Sequence, residues 1–246
     1  MTSAEGDDEM PQLSAGALDA LKEFYSEKDS RQKQFEDLRS QAEDSFEQQK
    51  LSMDAFTEDW NVSQFWYNDE TATLLAKQLL DGTTNDTAVA IVSAPSVFIQ
   101  LKNLMSSLEA QVRPEVVLLE YDERFSVFKE FVFYDFANPT RLPEQLKGHF
   151  DRIICDPPFL SEDSALTVRW LSKSWNAPGT SSGVPSTADN SPALIVCTGE
   201  RMEPLIHKLY GKAGIRTTTF EPQHSKGLSN EFRCYANFPC KDWKFR

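Results

Sequence analysis

From residue 70 onward, short unbroken apolar runs alternate with segments whose apolar positions fall on one helical side. The runs are Ala88–Ala94 (AVAIVSA), Val116–Tyr121 (VVLLEY), Phe131–Phe136 (FVFYDF), Phe150–Cys155 and Ala193–Thr198 (ALIVCT). Glu70–Leu80, Val97–Leu108, Leu160–Lys173 and Met202–Tyr210 read as helices before and between them. Strands that are apolar along their whole length and alternate with helices predict a parallel sheet covered on both faces. Ile215–Phe220 and Phe232–Phe238 follow without a clear helix between them, which predicts an antiparallel finish. The expected fold class is α/β, with a seven-stranded sheet whose last strand is antiparallel.

The start of the chain has a different pattern. Residues 1–12 read as disordered, and Ser14 to about Leu51 is polar and helix-prone. Its sparse apolar positions, Leu18, Leu21, Tyr25, Phe35, Leu38 and Phe46, fit a narrow helical stripe. Such a stripe belongs either to a solvated helix or to one that docks on the body or on a partner. The expected division is an acidic extension over residues 1–55 and a single domain over 56–246. Ser174–Pro192 (SWNAPGTSSGVPSTADNSP) is rich in Ser, Pro, Gly and Thr and predicts a flexible insertion.

With 40% hydrophobic and 26% charged residues, the chain can bury a core. No apolar run approaches the roughly 20 residues that cross a bilayer. The opening MTSAEGDDEM has neither the basic nor the apolar region of a signal peptide. Cys155, Cys197, Cys234 and Cys240 form no CxxC pair, and three lie in apolar runs, as reduced buried residues do. A cytoplasmic protein without a membrane partner is expected. Net charge is −13, and residues 1–60 contain 16 acidic and 6 basic residues, so most of it lies there. The remaining body is near neutral and shows no basic footprint, which argues against a DNA partner.

In open α/β sheets, ligands bind beyond the carboxyl ends of the strands. The first run ends in Ser93-Ala94-Pro95-Ser96, the second in Glu120-Tyr121-Asp122, the third in Tyr134-Asp135 and the fourth in Asp156-Pro157-Pro158-Phe159. An acid after the second strand, Glu120 or Asp122, can accept both hydroxyls of a ribose. Asp122 can equally cap the segment that follows. Asp135 with Phe136 can contact an adenine ring, although strands also end in polar residues without function. Pro157 biases Asp156 toward extended backbone, and two prolines fix the chain after it. A carboxylate and a rigid carbonyl then face one small volume, where they can hold an amino group and orient its lone pair. Phe159 can stack on a planar base or make a cation–π contact with an amine. A strand stop with a tight turn is the bland alternative.

Two further stretches stand out. Trp60–Tyr67 (WNVSQFWY) is aromatic-dense and suits either a cover over a ligand or a clamp on the sheet edge. Phe220–Tyr235 (FEPQHSKGLSNEFRCY) joins the last two strands, and His224, Asn230 and Glu231 can reach a substrate there. Three histidines without spacing partners predict no metal site.

Taken in order, WNVSQFWY from Trp60, SAPS from Ser93, LEYD from Leu119, Tyr134-Asp135, DPPFLSE from Asp156, CTG from Cys197 and NEFRCY from Asn230 resemble one family. It is the eukaryotic elongation factor 1-alpha lysine methyltransferases, first labelled N6-adenine-specific DNA methyltransferases. The resemblance spans about residues 60–238 and includes the D/N-P-P-F/Y motif of amino-methyltransferases. Class I methyltransferases usually carry a glycine-rich loop after the first strand, and SAPS is this family's own form of it. The insertion and the acidic extension lie outside the shared pattern.

The resemblance implies a Rossmann-like class I sheet, S-adenosylmethionine as methyl donor and a lysine of elongation factor 1-alpha as acceptor. It implies Asp156, Pro157 and Phe159 as catalytic residues. Cofactor contacts would come from Ser63, Gln64, Phe65, Trp66, Tyr67, Ser93, Ala94, Pro95, Ser96, Glu120, Asp122, Asp135 and Phe136. Substrate contacts would come from Phe159, His224, Asn230 and Glu231, in a monomer. A free lysine titrates near 10.4, so its amine must lose a proton before attack. An ordinary carboxylate is a poor base for that step, which predicts an orienting Asp156 and proton loss to water. The residues alone leave two alternatives, an N6-adenine nucleic-acid methyltransferase and a non-catalytic binding module of the same fold.

Overall fold

The computed structural model describes residues 51–56, 64–157, 160–173, 193–227 and 231–246, with the single positions Lys22, Ser26, Ser30 and Lys33. Strands β1 (Ala88–Val92), β2 (Glu115–Glu120), β3 (Phe131–Phe133), β4 (Arg152–Cys155), β5 (Ala193–Gly199), β6 (Arg216–Thr217) and β7 (Phe232–Ala236) form a seven-stranded sheet. Their order is β3-β2-β1-β4-β5-β7-β6. The first five pair in parallel, and β7 runs antiparallel between β5 and β6. The Rossmann-like order and the antiparallel finish are those expected. From β1 the chain winds outward through β2 and β3, then returns to the other side with β4. The order therefore reverses between β1 and β4, and ligands collect at such a point.

The central strands are apolar on two sides because each side meets helices. Val89 and Ile91 of β1 join one core with helices α1 (Asp69–Leu80) and α2 (Pro95–Ser106). Ala88, Ala90 and Val92 join the other with α3 (Glu162–Leu171) and α4 (Glu203–Tyr210). Asn68 caps α1 by accepting from the Thr71 N–H at 2.9 Å, and Pro95 opens α2 where no N–H is needed.

Two strands are shorter than their apolar runs. After β3 the Tyr134 N–H still reaches Glu120 O at 3.0 Å. Asp135 then accepts from the Ala137 N–H at 2.9 Å and from Asn138 Nδ2 at 2.8 Å, turning the chain away from the sheet. After β6 the Thr218 N–H still reaches Cys234 O at 3.0 Å, and the chain then pairs with its C-terminal residues. Thr219 donates to Lys244 O at 2.8 Å and Arg246 to Thr217 O at 2.9 Å, which covers the sheet edge.

Core packing begins upstream of the expected domain boundary. Asn103 of α2 accepts from the Leu51 N–H at 2.7 Å and donates to Leu51 O at 2.9 Å. Phe56 stacks on Phe125 with centroids 4.2 Å apart and planes 8° from parallel. Leu51 and Phe56 are 3% and 2% exposed, so a division at 55/56 cuts a packed segment. Lys22, Ser26, Ser30 and Lys33 are helical and exposed; the apolar stripe itself and the 174–192 insertion lie outside the described residues. All four cysteines are free thiols, and Cys155, Cys197 and Cys234 are buried in β4, β5 and β7. Among the described residues, no helix is long and apolar enough to cross a membrane.

Candidate active site

Parallel register carries the chemistry to the sheet's reversal point. Val92 of β1 lies opposite Cys155 of β4, so Ser93 and Asp156 leave the sheet side by side. The Asp156 N–H donates to Val92 O at 3.0 Å, one last rung before Pro157 ends the ladder. On the other side, Cys155 pairs with Val196, which sets Asp156 level with Cys197 of β5.

Ser93 has φ of +53°, the left-handed region that disfavours side chains, and is the one such non-glycine among the described residues. A glycine-rich loop usually makes this turn. Here Ser93 adopts the conformation itself, with its N–H held by Leu119 O at 2.9 Å. Ala94, Pro95 and Ser96 are buried beneath it.

Glu120, at the end of β2, is 7% exposed. Its Oε1 accepts from the N–H groups of Tyr121 at 2.8 Å and Asp122 at 3.1 Å. Among the described residues its other oxygen has no hydrogen-bond partner. Burial pushes this carboxyl up to about 7 against those two N–H donors. Asp122 is differently placed. It caps the turn at residues 123–127 by accepting from the Arg124 N–H at 3.0 Å. Arg124 Nε sits 2.9 Å from both of its oxygens, and Gln64 Nε2 donates to Oδ2 at 3.0 Å. Burial opposes ionisation of Asp122, but the Arg124 guanidinium outweighs it and holds the carboxyl below the usual range. Arg124 escaped the sequence reading, although a cation two residues after a turn acid is the available signal.

The stretch before α1 is fastened to the loop between β6 and β7. Asn68 donates to Gln223 O at 3.0 Å and Ser225 to Trp66 O at 2.9 Å, around an antiparallel bridge between Tyr67 and His224. Tyr67 is held further by its N–H on Ser96 Oγ at 3.2 Å. Its ring lies 4.9 Å from the His224 ring, which stands edge-on to Phe232 at 4.6 Å. Trp66 is committed to the core: its Nε1 donates to Phe56 O at 3.1 Å, and it meets Phe125 edge to face. Phe65 is half-buried.

Asp156 keeps part of its surface accessible while protein closely surrounds it. Burial pushes its carboxyl up to about 8; the Tyr67 hydroxyl opposes this shift and the Glu120 charge adds to it. The two acids therefore sense each other across the carboxyl edge. Asp135 is spent on its turn, and Phe136 packs against the second core. Glu231 is exposed and shares Arg233 with Glu200 and Glu221. Ser63, Phe159 and Asn230 lie outside the described residues, and no cluster of metal ligands occurs among those described.

Comparison with known proteins shows the company this site keeps. The family model described as "Probable N6-adenine methyltransferase" matches residues 58–240. "Protein-lysine N-methyltransferase EFM5" of Saccharomyces cerevisiae is 42% identical over 239 residues, covering 95% of this chain and 94% of that protein. "EEF1A lysine methyltransferase 1" of Gallus gallus is 39% identical over 95% of this chain and 97% of its own length. Its counterpart in Homo sapiens is 37% identical over 94% of each. With a match running from the segment before Tyr67 through the last strand, and relatives aligned over nearly their whole length, the chain belongs to this methyltransferase family.

Proposed function

We propose that the chain is an S-adenosylmethionine-dependent protein-lysine N-methyltransferase whose substrate is elongation factor 1-alpha. The observation that carries this is Asp156-Pro157 at the sheet's reversal point, in a chain aligned over nearly its full length with enzymes named for that reaction. A family model described by adenine chemistry favours a second substrate class. Against it, Glu200, Glu221 and Glu231 gather around Arg233 where β5 ends and β7 begins, so that cation is already committed to carboxylates rather than open to a phosphate backbone. The same proposal keeps a cytoplasmic, monomeric enzyme.

The residues fit the cofactor. Glu120 has one uncommitted oxygen where a ribose diol would lie, and the Ser93 turn brings backbone rather than bulk to the neighbouring strand end. Gln64 and Asp122 brace that side through Arg124. When bound, S-adenosylmethionine supplies an electrophilic methyl group on a sulfonium. Asp156 accepts hydrogen bonds from the acceptor amine, and Pro157 holds the backbone that aims it.

Its raised proton affinity changes the role expected from sequence. Transfer from an ammonium near 10.4 to a carboxyl near 4 costs on the order of 9 kcal/mol. With Asp156 at about 8 the gap shrinks to about 3 kcal/mol. Pairing with the ammonium lowers Asp156 again, so the cost in the complex lies between these limits. An Asp156 enclosed in this way can thus take the proton as well as orient the amine.

The test offers radiolabelled methyl donor with elongation factor 1-alpha, DNA and RNA side by side. Label should enter the protein, and Asp156→Ala should reduce it by about 30- to 1,000-fold, as for loss of one preorganised contact at the transition state. Label on nucleic acid would establish the adenine chemistry instead. Absence of a calorimetric isotherm with the cofactor would leave a binding module.

A further inference from the structure

Tyr67 holds a polar atom whose partner is unsettled. Its side chain is 4% exposed, and its hydroxyl is buried without a hydrogen-bond partner within normal geometry. Leaving such a group unpaired costs about 1–3 kcal/mol, so its position asks for an explanation. The backbone does not drift into this place. Ser96 Oγ, the bridge to His224 and the flanking bonds to residues 223 and 225 fix it, and the His224 ring backs the phenol.

The groups in front of the hydroxyl are Asp156, at the end of β4, and Cys197, level with it on β5. Cys197 faces Cys234 of β7, and these contacts with burial keep its thiol neutral, a weak acceptor. The Asp156 carboxylate is the strong one. Glu120 from β2 also acts on Asp156 by repelling its charge, while burial and the Asp156 charge keep the neighbouring Cys155 thiol neutral.

We infer that Tyr67 is a positioning residue for the reaction assigned above: its hydroxyl donates to the ionised Asp156 carboxylate, aiming it at the acceptor amine and setting the pH at which it becomes competent. Hydrogen bonds at catalytic groups are often long before substrate arrives and tighten in the complex, which suits a hydroxyl held close but not yet paired. The direction of the effect follows. A donor to the charged form favours ionisation, so its loss makes Asp156 harder to deprotonate.

Tyr67→Phe deletes only that hydroxyl. Two measurements are paired on it. One is the acid limb of kcat/KM, which reports the free enzyme's essential groups. The other is a carbon-13 NMR titration of aspartate-labelled protein, with the Asp156 signal assigned by its loss in Asp156→Asn. Both midpoints should rise by about one pH unit. Incorporating 3-fluorotyrosine at position 67, a stronger donor, should move the NMR midpoint down, and this variant guards against misfolding of the first. A uniform loss of kcat/KM at every pH with unmoved midpoints would reduce Tyr67 to packing and overturn the inference. The inference rests on the methyltransferase assignment for its meaning, but the NMR titration does not need turnover. A wild-type protein that failed to methylate would sink the assignment and leave the Tyr67–Asp156 contact standing.

Discussion

At the scale of single residues, Ser93 and Glu120 show what a side chain gives up at this edge. Ser93 holds a left-handed backbone that costs a non-glycine residue about 1–2 kcal/mol. Ser93→Gly should therefore raise Tm by about 2–4 °C per kcal/mol recovered in a chain of this size, read by calorimetry without cofactor. An unchanged or lower Tm would mean that glycine's extra unfolded-state freedom cancels the gain. Glu120 and Asp122 looked equivalent in sequence, since both are acids at a strand end. Their partners separate them: Arg124 occupies Asp122, whereas Glu120 keeps an oxygen uncommitted. Glu120→Ala should weaken cofactor binding by roughly 1.5–3 kcal/mol. Asp122→Ala should mainly lower stability by stranding Arg124. Equal losses of affinity in isothermal titration would contradict that division of labour. Sequence could name these acids but could not weigh them, because partners and burial decide their proton affinity. The same holds for Asp156, which an ordinary carboxylate pKa cast as an orienter alone.

At the scale of elements, legibility followed burial. β1, β2, β4, β5 and β7 are buried on both sides, so their apolar runs marked them to within a residue or two. β3 and β6 are shorter than the runs that contain them. Their runs continue past the strand, but Asp135 and the residues around Lys244 redirect the backbone through contacts that no local pattern announces. The segment from Leu51 to Phe56 was hidden for a related reason: its two core residues dock on α2 and on Phe125, distant in sequence. Phe56→Ala should remove this stack and cost about 3–5 kcal/mol, measured as a shifted urea midpoint with little change in slope. A cost below about 1 kcal/mol would show that the Leu51–Phe56 segment only rests on the core.

At the scale of the whole molecule, the raised carboxyls of Glu120 and Asp156 oppose stability as pH rises. Glu120 titrates near 4.5 when unfolded and at about 7 when folded. Its proton is therefore held by the native state and released by the unfolded one across that interval. The associated stability is full below about pH 4.5 and lost as pH rises through about 7. Glu120→Gln should match wild type near pH 4 and exceed it by on the order of 3 kcal/mol at pH 8.5. Chemical denaturation at the two pH values checks this, and an equal difference at both would refute it. The acidic extension makes a separate prediction. Without residues 1–50 the enzyme should keep kcat, because every candidate site residue named above follows Leu51. Any rise in KM for a basic protein substrate should shrink with added salt, as screening over about 8–10 Å requires. A collapse of kcat would place the extension inside the catalytic body.

The bonds joining residues 66–68 to residues 223–225 link the beginning of the domain to its end. A chain emerging from a ribosome at about 5–20 residues per second reaches residue 225 many seconds after Tyr67. The parallel strands around Asp156 can pair in that interval, yet Tyr67 has only its bond to Ser96 until residues 223–225 arrive. Pulse-labelled hydrogen exchange during refolding should find the Ser225 amide protected after that of Ile91. Partial translation products would then carry the Asp156-Pro157 turn without the wall that aims it, and remain chemically silent until synthesis is complete.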